Sequence, residues 1–296
     1  MNTDLPNLGL ESLLGRGGTA TVYKGRQLST GREVAVKVLN ADFARTQEDV
    51  DRFVNEARAC ARFRHSNIVR VYDAGCRDGI YYFVMELVKG YTFAEYLQRK
   101  KSIAVDDVMV ILESVTAALM YAWQKFRVVH CDLKPDNIMV NEDGTIKLMD
   151  LGISRSILNA RGGSSSAGDI MGTPSYMSPE QIYDEPDIDC RADIYALGAT
   201  AYHLLTGIPL FPGHTVQEVV DAQIGKNFAR DPRILQPAVP RSLALMLNRM
   251  LAKDRALRYP DWETLAADIE RLYNGLPLLA TPLKPGESSV NFASEW

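Results

Sequence analysis

Four polar side chains in mid-chain, Asp132, Lys134, Asn137 and Asp150, have the types and spacing for phosphoryl transfer. The first three lie in His130-Cys131-Asp132-Leu133-Lys134-Pro135-Asp136-Asn137. Just beyond, residues 138–140 and 146–148 are short β-type runs, and Asn141-Glu142-Asp143-Gly144 between them is a hairpin turn signal. Antiparallel pairing of the two runs makes neighbours of Asn137 and Asp150, which flank the open end. An amide oxygen beside a carboxylate is a hard-oxygen pair suited to magnesium. Asp132, in the same loop, can accept a proton from a substrate hydroxyl that comes within hydrogen-bond reach. Phosphoryl transfer needs these parts: a metal for charge, a lysine for the transferring oxygens and a carboxylate to orient the nucleophile. Pro135 fixes the backbone between Lys134 and Asp136. A polar loop capping a core hairpin is the plainer alternative, and the motifs elsewhere weigh against it.

A second group lies near the start. Leu14-Gly15-Arg16-Gly17-Gly18-Thr19-Ala20-Thr21-Val22 is glycine-rich, and glycines let backbone N–H groups approach phosphate oxygens closely. A plain turn is possible from this run alone. A dinucleotide fold requires a helix straight after it, whereas strand patterns follow here. A glycine-rich hairpin over phosphates fits better. Lys37 lies among valines on an apolar strand, where a lysine either snorkels to water or meets a buried anion. Glu56 borders the apolar stripe of a helix, and an unpaired carboxylate leaning into a core is costly. Each suggests the other as its partner, in a pair that holds the ammonium where nucleotide phosphates bind.

The elements that must carry these groups divide near Lys89. Residues 33–39 read as a strand, with Val34, Val36 and Val38 on one face and Ala35, Lys37 and Leu39 on the other. Residues 48–63 read as a helix and 81–87 as another strand. Val108, Ile111, Leu112, Val115, Leu119 and Ala122 mark a long amphipathic helix, and helical patterns resume from 190 and run to 273. Strands followed by helices predict an α+β protein of two lobes: a small β-rich N-lobe with one key helix, residues 8–88, and a larger α-helical C-lobe, residues 89–275. Residues 161–168 and the tail, residues 276–296, have little to bury and are expected to be flexible.

Bulk properties exclude several classes. The 296 residues are 46% hydrophobic with a net charge of −4, which offers no basic surface for nucleic acid or an anionic membrane. No apolar run approaches the length of a membrane span, and residues 1–7 lack the pattern of a signal peptide. Cys60, Cys76, Cys131 and Cys190 show no metal or disulfide spacing, which points to reduced thiols and a cytoplasmic location.

Taken together, these motifs resemble the eukaryotic-type (Hanks-type) serine/threonine protein kinases, over residues of about 8 to 273. The resemblance implies an ATP-binding set of Leu14, Gly15, Arg16, Gly17, Gly18, Thr19, Ala20, Val22, Ala35, Lys37 and Glu56. Met85 would be the gatekeeper, Glu86 to Val88 the adenine hinge and Met139 the pocket floor. Alanine at position 20 is a mild departure, and Asp150-Leu151-Gly152 stands where Asp-Phe-Gly is usual. Asp132 and Lys134 would be catalytic, and Asn137 and Asp150 would bind magnesium, with manganese as the alternative ion. Ser178-Pro179-Glu180 resembles the end of an activation segment. Glu180 is expected to pair with Arg258, and Asp193 to brace the catalytic loop. Lys134 with Thr173 implies serine/threonine specificity, protein substrates and transfer to the chain itself. The wording of residues 172–181 looks bacterial. Dimerisation is compatible with the sequence but not indicated by it.

One departure concerns regulation. Most members carry arginine before the catalytic aspartate, where it binds an activation-loop phosphate; here it is Cys131. A thiol forms no charge-assisted bond to phosphate. Activity is therefore expected without activation-loop phosphorylation, although Ser164, Ser165, Ser166 and Thr173 can be phosphorylated. A non-catalytic scaffold of this fold is one rival, but it usually lacks one of Lys37, Asp132, Asn137 or Asp150. A small-molecule phosphotransferase is the other, and it generally lacks the Gly-Thr-Pro…Ser-Pro-Glu segment.

Overall fold

The computed structural model describes residues 5–17, 20–39, 60–151 and 173–292. Glu56, Gly18, Thr19 and Ser164 to Ser166 lie outside the described residues, as does most of the helix expected at 48–63. The first lobe is a five-stranded antiparallel sheet of β1 (Leu8–Arg16), β2 (Ala20–Gln27), β3 (Arg32–Leu39), β4 (Val71–Arg77) and β5 (Ile80–Glu86), in the order β1-β2-β3-β5-β4. Two-residue turns with positive φ suit the twist of such hairpins. Asp78-Gly79 between β4 and β5 is of this kind, with φ of 52° and 76°. β3 behaves as its alternation predicts. Val34 and Val36 are fully buried with Leu5, Leu8, Tyr82 and Val84 behind the sheet. Ala35, on the opposite face, packs with Val69 and Met85.

The second lobe begins with a three-stranded sheet of β6 (Gly90–Thr92), β7 (Ile138–Asn141) and β8 (Ile146–Leu148). The expected hairpin is present, pairing Ile138 with Leu148 and Val140 with Ile146. Gly144, at φ 84°, supplies the left-handed turn residue.

Helices form the rest of the lobe: α1 (Phe93–Lys100), α2 (Val105–Phe126), α3 (Pro179–Ile182), α4 (Cys190–Thr206), α5 (Val216–Ile224), α6 (Pro232–Leu235), α7 (Arg241–Met250) and α8 (Trp262–Tyr273). The six apolar positions predicted for α2 are all buried. α4 is apolar on nearly every face, so it must run through the middle of the lobe. Its axis passes so close to α7 that a Cβ on Gly198 would meet Met250 Cβ at 2.9 Å.

The tail expectation is corrected. Two backbone N–H groups, of Leu279 and Ala280, donate to the buried Asp268 carboxylate at 2.6 and 3.0 Å. Further on, β10 (Val290–Asn291) pairs parallel with β9 (Ala229–Arg230), and Ser288, Ser289 and Val290 are buried. Val290, the partly buried Leu278, Ala280 and Phe292, and these backbone hydrogen bonds seat the stretch against the lobe.

Glu180 and Arg258 form the expected pair, with Nη1···Oε1 at 2.5 Å and Nη2···Oε2 at 2.8 Å in a two-pronged contact away from water. Arg258 also donates to the carbonyls of Ala252, Arg191 and Lys253, so the guanidinium is fully used. Removing one partner of such a pair strands the other's charge. Glu180→Ala is expected to lower the unfolding free energy by about 3–5 kcal/mol. Urea unfolding of the variant checks this, and a loss below about 1 kcal/mol would show that the pair is not the anchor.

Candidate active site

The loop before β7 is irregular and buried, so its backbone groups need partners from elsewhere. Asp193, in the first turn of α4, supplies them. Its carboxylate accepts from the backbone N–H of His130 at 2.7 Å and of Cys131 at 2.9 Å. Cys131 has a φ of 64°, a left-handed conformation that a side-chain-bearing residue adopts only when held. Gln181 donates to the Cys131 carbonyl at 2.9 Å and ties the loop to α3. His130 joins the loop to the hairpin. Its Nδ1 accepts from the Asp132 N–H at 3.3 Å, so Nε2 carries the proton and donates to the Met149 carbonyl at 2.9 Å.

Asp132 is thereby presented with its carboxylate ringed by donors. Lys134 Nζ lies 3.0 and 2.8 Å from its two oxygens. Asn137 Nδ2 donates to the Asp132 carbonyl at 2.7 Å and to Oδ2 at 3.0 Å. Lys134 Nζ also donates to Thr173 Oγ1 at 3.2 Å, so one ammonium spans the loop and the Gly-Thr-Pro segment.

Lys37 and Asp150 form the second cluster. Lys37 Nζ lies 2.7 Å from Asp150 Oδ1, where the sequence suggests Glu56 as the lysine's partner. Burial pushes the Asp150 carboxyl up, but the Lys37 ammonium, with Lys134 adding to it, outweighs this and holds it below the usual carboxylate range. Asp150 has φ 56°, which turns its carboxylate away from the course of β8. The Met149 N–H donates to the Asn137 carbonyl at 2.9 Å, so Met149 lies opposite Asn137 and Asp150 follows one residue beyond the open end of the hairpin.

This donor set suits magnesium. Asn137 spends its amide nitrogen on Asp132, which leaves Oδ1 as its outward acceptor, and Asp150 has its second carboxylate oxygen to offer. No cluster of three or more His, Cys, Asp or Glu ligands occurs among the described residues. Magnesium tolerates that scarcity, because it takes most of its ligands from water and phosphate oxygens.

An apolar patch adjoins the two clusters. Ala35, Val69 and Met85 form it, with Val22, Leu87, Val88 and Met149 against them. Val69 and Met149 are absent from the residues that sequence reasoning selects, whereas Leu87 falls within the expected hinge. Met149 was legible by alternation, because it follows the buried Leu148 and shares the face of Lys147. Met139 lies directly across from Lys147 and so faces the same way. Glu86, at the end of β5, accepts from Lys147 Nζ at 2.7 Å and from the Arg70 N–H at 3.2 Å, which joins the strand to the hairpin. Above the patch, β1 and β2 pair Gly15 with Val22 and Arg16 with Thr21, so Leu14 to Gly17 form one side of a hairpin end. The Gly17 N–H donates to the Ala20 carbonyl at 2.8 Å.

The family model described as "Protein kinase domain" matches residues 9–268. The chain belongs to the protein kinase family. Among curated kinases, it is 35% identical over 270 residues to serine/threonine-protein kinase PknL of Mycobacterium bovis, covering 91% of this chain and 66% of that protein. It is 33% identical over 285 residues to probable serine/threonine-protein kinase PknB of Bifidobacterium longum, covering 93% and 41%. It is 34% identical over 262 residues to serine/threonine-protein kinase PrkC of Bacillus subtilis, covering 88% and 40%. The chain thus spans about two fifths of PknB and PrkC and about two thirds of PknL. A crystal structure of the Mycobacterium tuberculosis PknI kinase domain superposes with a TM-score of 0.72 at 28% identity, covering 92% of this chain and 97% of that one. The bacterial kinase resemblance and the two-lobed fold expected from the motifs are both borne out.

In this kinase fold the turn after Thr173 is set by a second buried contact. Tyr176 hydroxyl meets His203 Nδ1 at 2.7 Å, and burial pushes His203 down to about 4, with Asp136 opposing weakly. As pH falls from about 6.5, the unfolded chain takes up a proton that the native His203 refuses until about 4. Stability is therefore lost across that window as pH falls and levels off below it. The His203 contribution is expected to reach about 2 kcal/mol. His203→Gln should remove it, seen as a stability difference from the wild type that changes between about pH 7.5 and about pH 4.5 in urea unfolding. A constant difference would show that His203 titrates normally.

Proposed function

We propose that this chain transfers the γ-phosphoryl group of ATP to serine and threonine hydroxyls of protein substrates, itself included, with magnesium as the preferred ion over manganese. The observation that carries this reading is the Lys134 ammonium held between the Asp132 carboxylate and Thr173 Oγ1. A small-molecule phosphotransferase has no need to join its base to a peptide-cradling segment.

Each part of the site has work in this reaction. The patch around Ala35, Met85, Val88 and Met149 excludes water from the adenine, with Met139 beneath and the backbone of Glu86 to Val88 as hinge. Leu14, Gly15, Arg16 and Gly17, with Ala20 and Val22, lie over the phosphates, where the open space around Gly15 leaves room for close approach. Lys37 transfers its ammonium from Asp150 toward the α- and β-phosphates when nucleotide enters. Asn137 and Asp150 hold the magnesium, which supplies charge neutralisation at the transferring group. Asp132 orients the substrate hydroxyl and accepts its proton, while Lys134 stabilises charge on the transferring oxygens. Residues 8–88 and 89–275 act as the two lobes. The reading places the protein in the cytoplasm, supported by its use of nucleotide and by its four cysteines, none of which is in a disulfide. No helix among the described residues is long and apolar enough to cross a membrane.

Asp132→Asn removes the acceptor while preserving shape, and turnover is expected to fall by roughly 10²–10⁴-fold. Transfer of labelled phosphate from ATP to a generic basic protein and to a panel of small alcohols measures it. Activity in the variant equal to wild type, or transfer to the alcohols alone, would overturn the reading.

Cys131 gives a second expectation. Its backbone is held by Asp193 and Gln181, and its thiol offers no charge to a phosphate. Phosphatase-treated enzyme is expected to retain most of its initial rate toward protein substrate. Loss of all activity on treatment, with recovery on rephosphorylation, would show that a phosphate switch operates by another route.

A further inference from the structure

Residues 287–292 are stitched to the helical lobe in register. The Lys253 N–H donates to the Glu287 carbonyl at 3.0 Å, the Ser289 N–H to the Leu251 carbonyl at 2.8 Å, and the Ala229 N–H to the Ser289 carbonyl at 2.8 Å. These bonds place the Ser289 side chain inward, with no exposure to water. Its hydroxyl lies 3.0 Å from the Tyr195 hydroxyl, in the middle of α4. Tyr195 donates in turn to Gln223 Oε1 on α5. The other end of the same amide, Gln223 Nε2, donates to the Pro174 carbonyl at 3.0 Å. Thr173, one residue earlier, accepts from Lys134 at the active centre.

The line is continuous and buried: Ser289, Tyr195 and Gln223 all have 0% exposure. A buried amide whose two ends are both used can take only one orientation, so its grip on Pro174 depends on Tyr195 holding the far end. Pro174 has no N–H, and its carbonyl is the only backbone handle it offers. An apolar contact runs beside the polar one. Val290 packs in the same cluster as Tyr176, Tyr195, Ala222, Ala229 and Leu251, so the segment and the 3-10 turn Pro174–Tyr176 share a core.

We propose that residues 287–292 are a positioning element for the peptide-binding turn, acting through Tyr195 and Gln223 on Pro174 so that Thr173 meets Lys134. The inference rests on the kinase reading for its kinetic consequence but not for its structural one. The relay ends at the turn and touches none of the residues assigned to ATP. Loosening it should therefore impair the protein substrate and spare the nucleotide.

The test uses the full chain with Ser289→Ala, Tyr195→Phe and Gln223→Met, each checked for an intact unfolding transition. Ser289→Ala carries the test if either of the other variants fails to fold. Hydrogen exchange at the Tyr176 and Met177 amides reports the turn directly. Faster exchange there, with the Met149 amide unchanged, is expected. Peptide kinetics provide the second readout. The KM for a peptide substrate should rise roughly 5–30-fold, the change expected from losing one buried hydrogen bond. The KM for ATP and the slow hydrolysis of ATP by water should stay within about twofold. Unchanged exchange at the turn overturns the proposal. So does faster exchange with an unchanged peptide KM, or with peptide and ATP constants altered together. Faster exchange in a protein that transfers no phosphate to any peptide would support the positioning role and reject the kinase reading.

Discussion

The catalytic loop stands in its working shape because one carboxylate takes two of its backbone N–H groups. Asp193 accepts from His130 and Cys131 with a separate oxygen for each, and it does so from the first turn of a helix buried on almost every side. Two factors make that position suitable. The N-terminal end of a helix carries partial positive charge that favours a carboxylate, and a helix fixed in the core cannot yield. A loop residue at positive φ, as Cys131 is, would otherwise relax toward the common conformations. The constraint acts on the main chain, so the side chain at position 131 is not bound by it. That explains how a cysteine can occupy a place where the resemblance leads one to expect arginine while Asp132, Lys134 and Asn137 keep their mutual geometry.

From this anchor, order passes outward by short polar steps. His130 converts the loop's position into that of the hairpin through its fixed tautomer, and the hairpin in turn sets Asp150 opposite Lys37. Glu86 joins the same hairpin to the first lobe through Lys147, and Lys89 reaches back to Glu33 at 2.9 Å. Hydrogen bonds and charge from two ammoniums hold Glu33 down at about 2, with Lys24 contributing more than Lys89. These exposed contacts are worth little as stability. The value of the Lys89 contact is geometric, because it bridges the two lobes beside the start of β3.

Much of this was legible in the sequence, for identifiable reasons. The period of two along residues 33–39 separated buried valines from the cleft face, and the turn chemistry of Asn141 to Gly144 set a hairpin register that the structure repeats. Those are local rules with one dominant solution. Lys37 was harder, since a buried ammonium demands an anion without saying which. Asp150 meets it here, while Glu56, the partner that pattern alone favours, is outside the described residues. Met149 carries no chemical signal of its own in sequence, and only its alternation with Lys147 marks the face it occupies. Residues 276–292 depart from expectation for a different reason. Composition measures what a segment brings to a core, whereas this one is seated by groups that other segments leave for it: Asp268, the Leu251 carbonyl and the Ala229 N–H.

That last feature separates two kinds of boundary. The family match ends at residue 268, inside α8 and at the very aspartate that receives Leu279 and Ala280. The family match therefore spans less than the stretch that closes the core. The final 24 described residues, from 269 to 292, lie beyond the family match yet belong to the folding unit by hydrogen bonds and burial. A cut made at the end of the family match would therefore strand the Asp268 carboxylate and open the core around Tyr195.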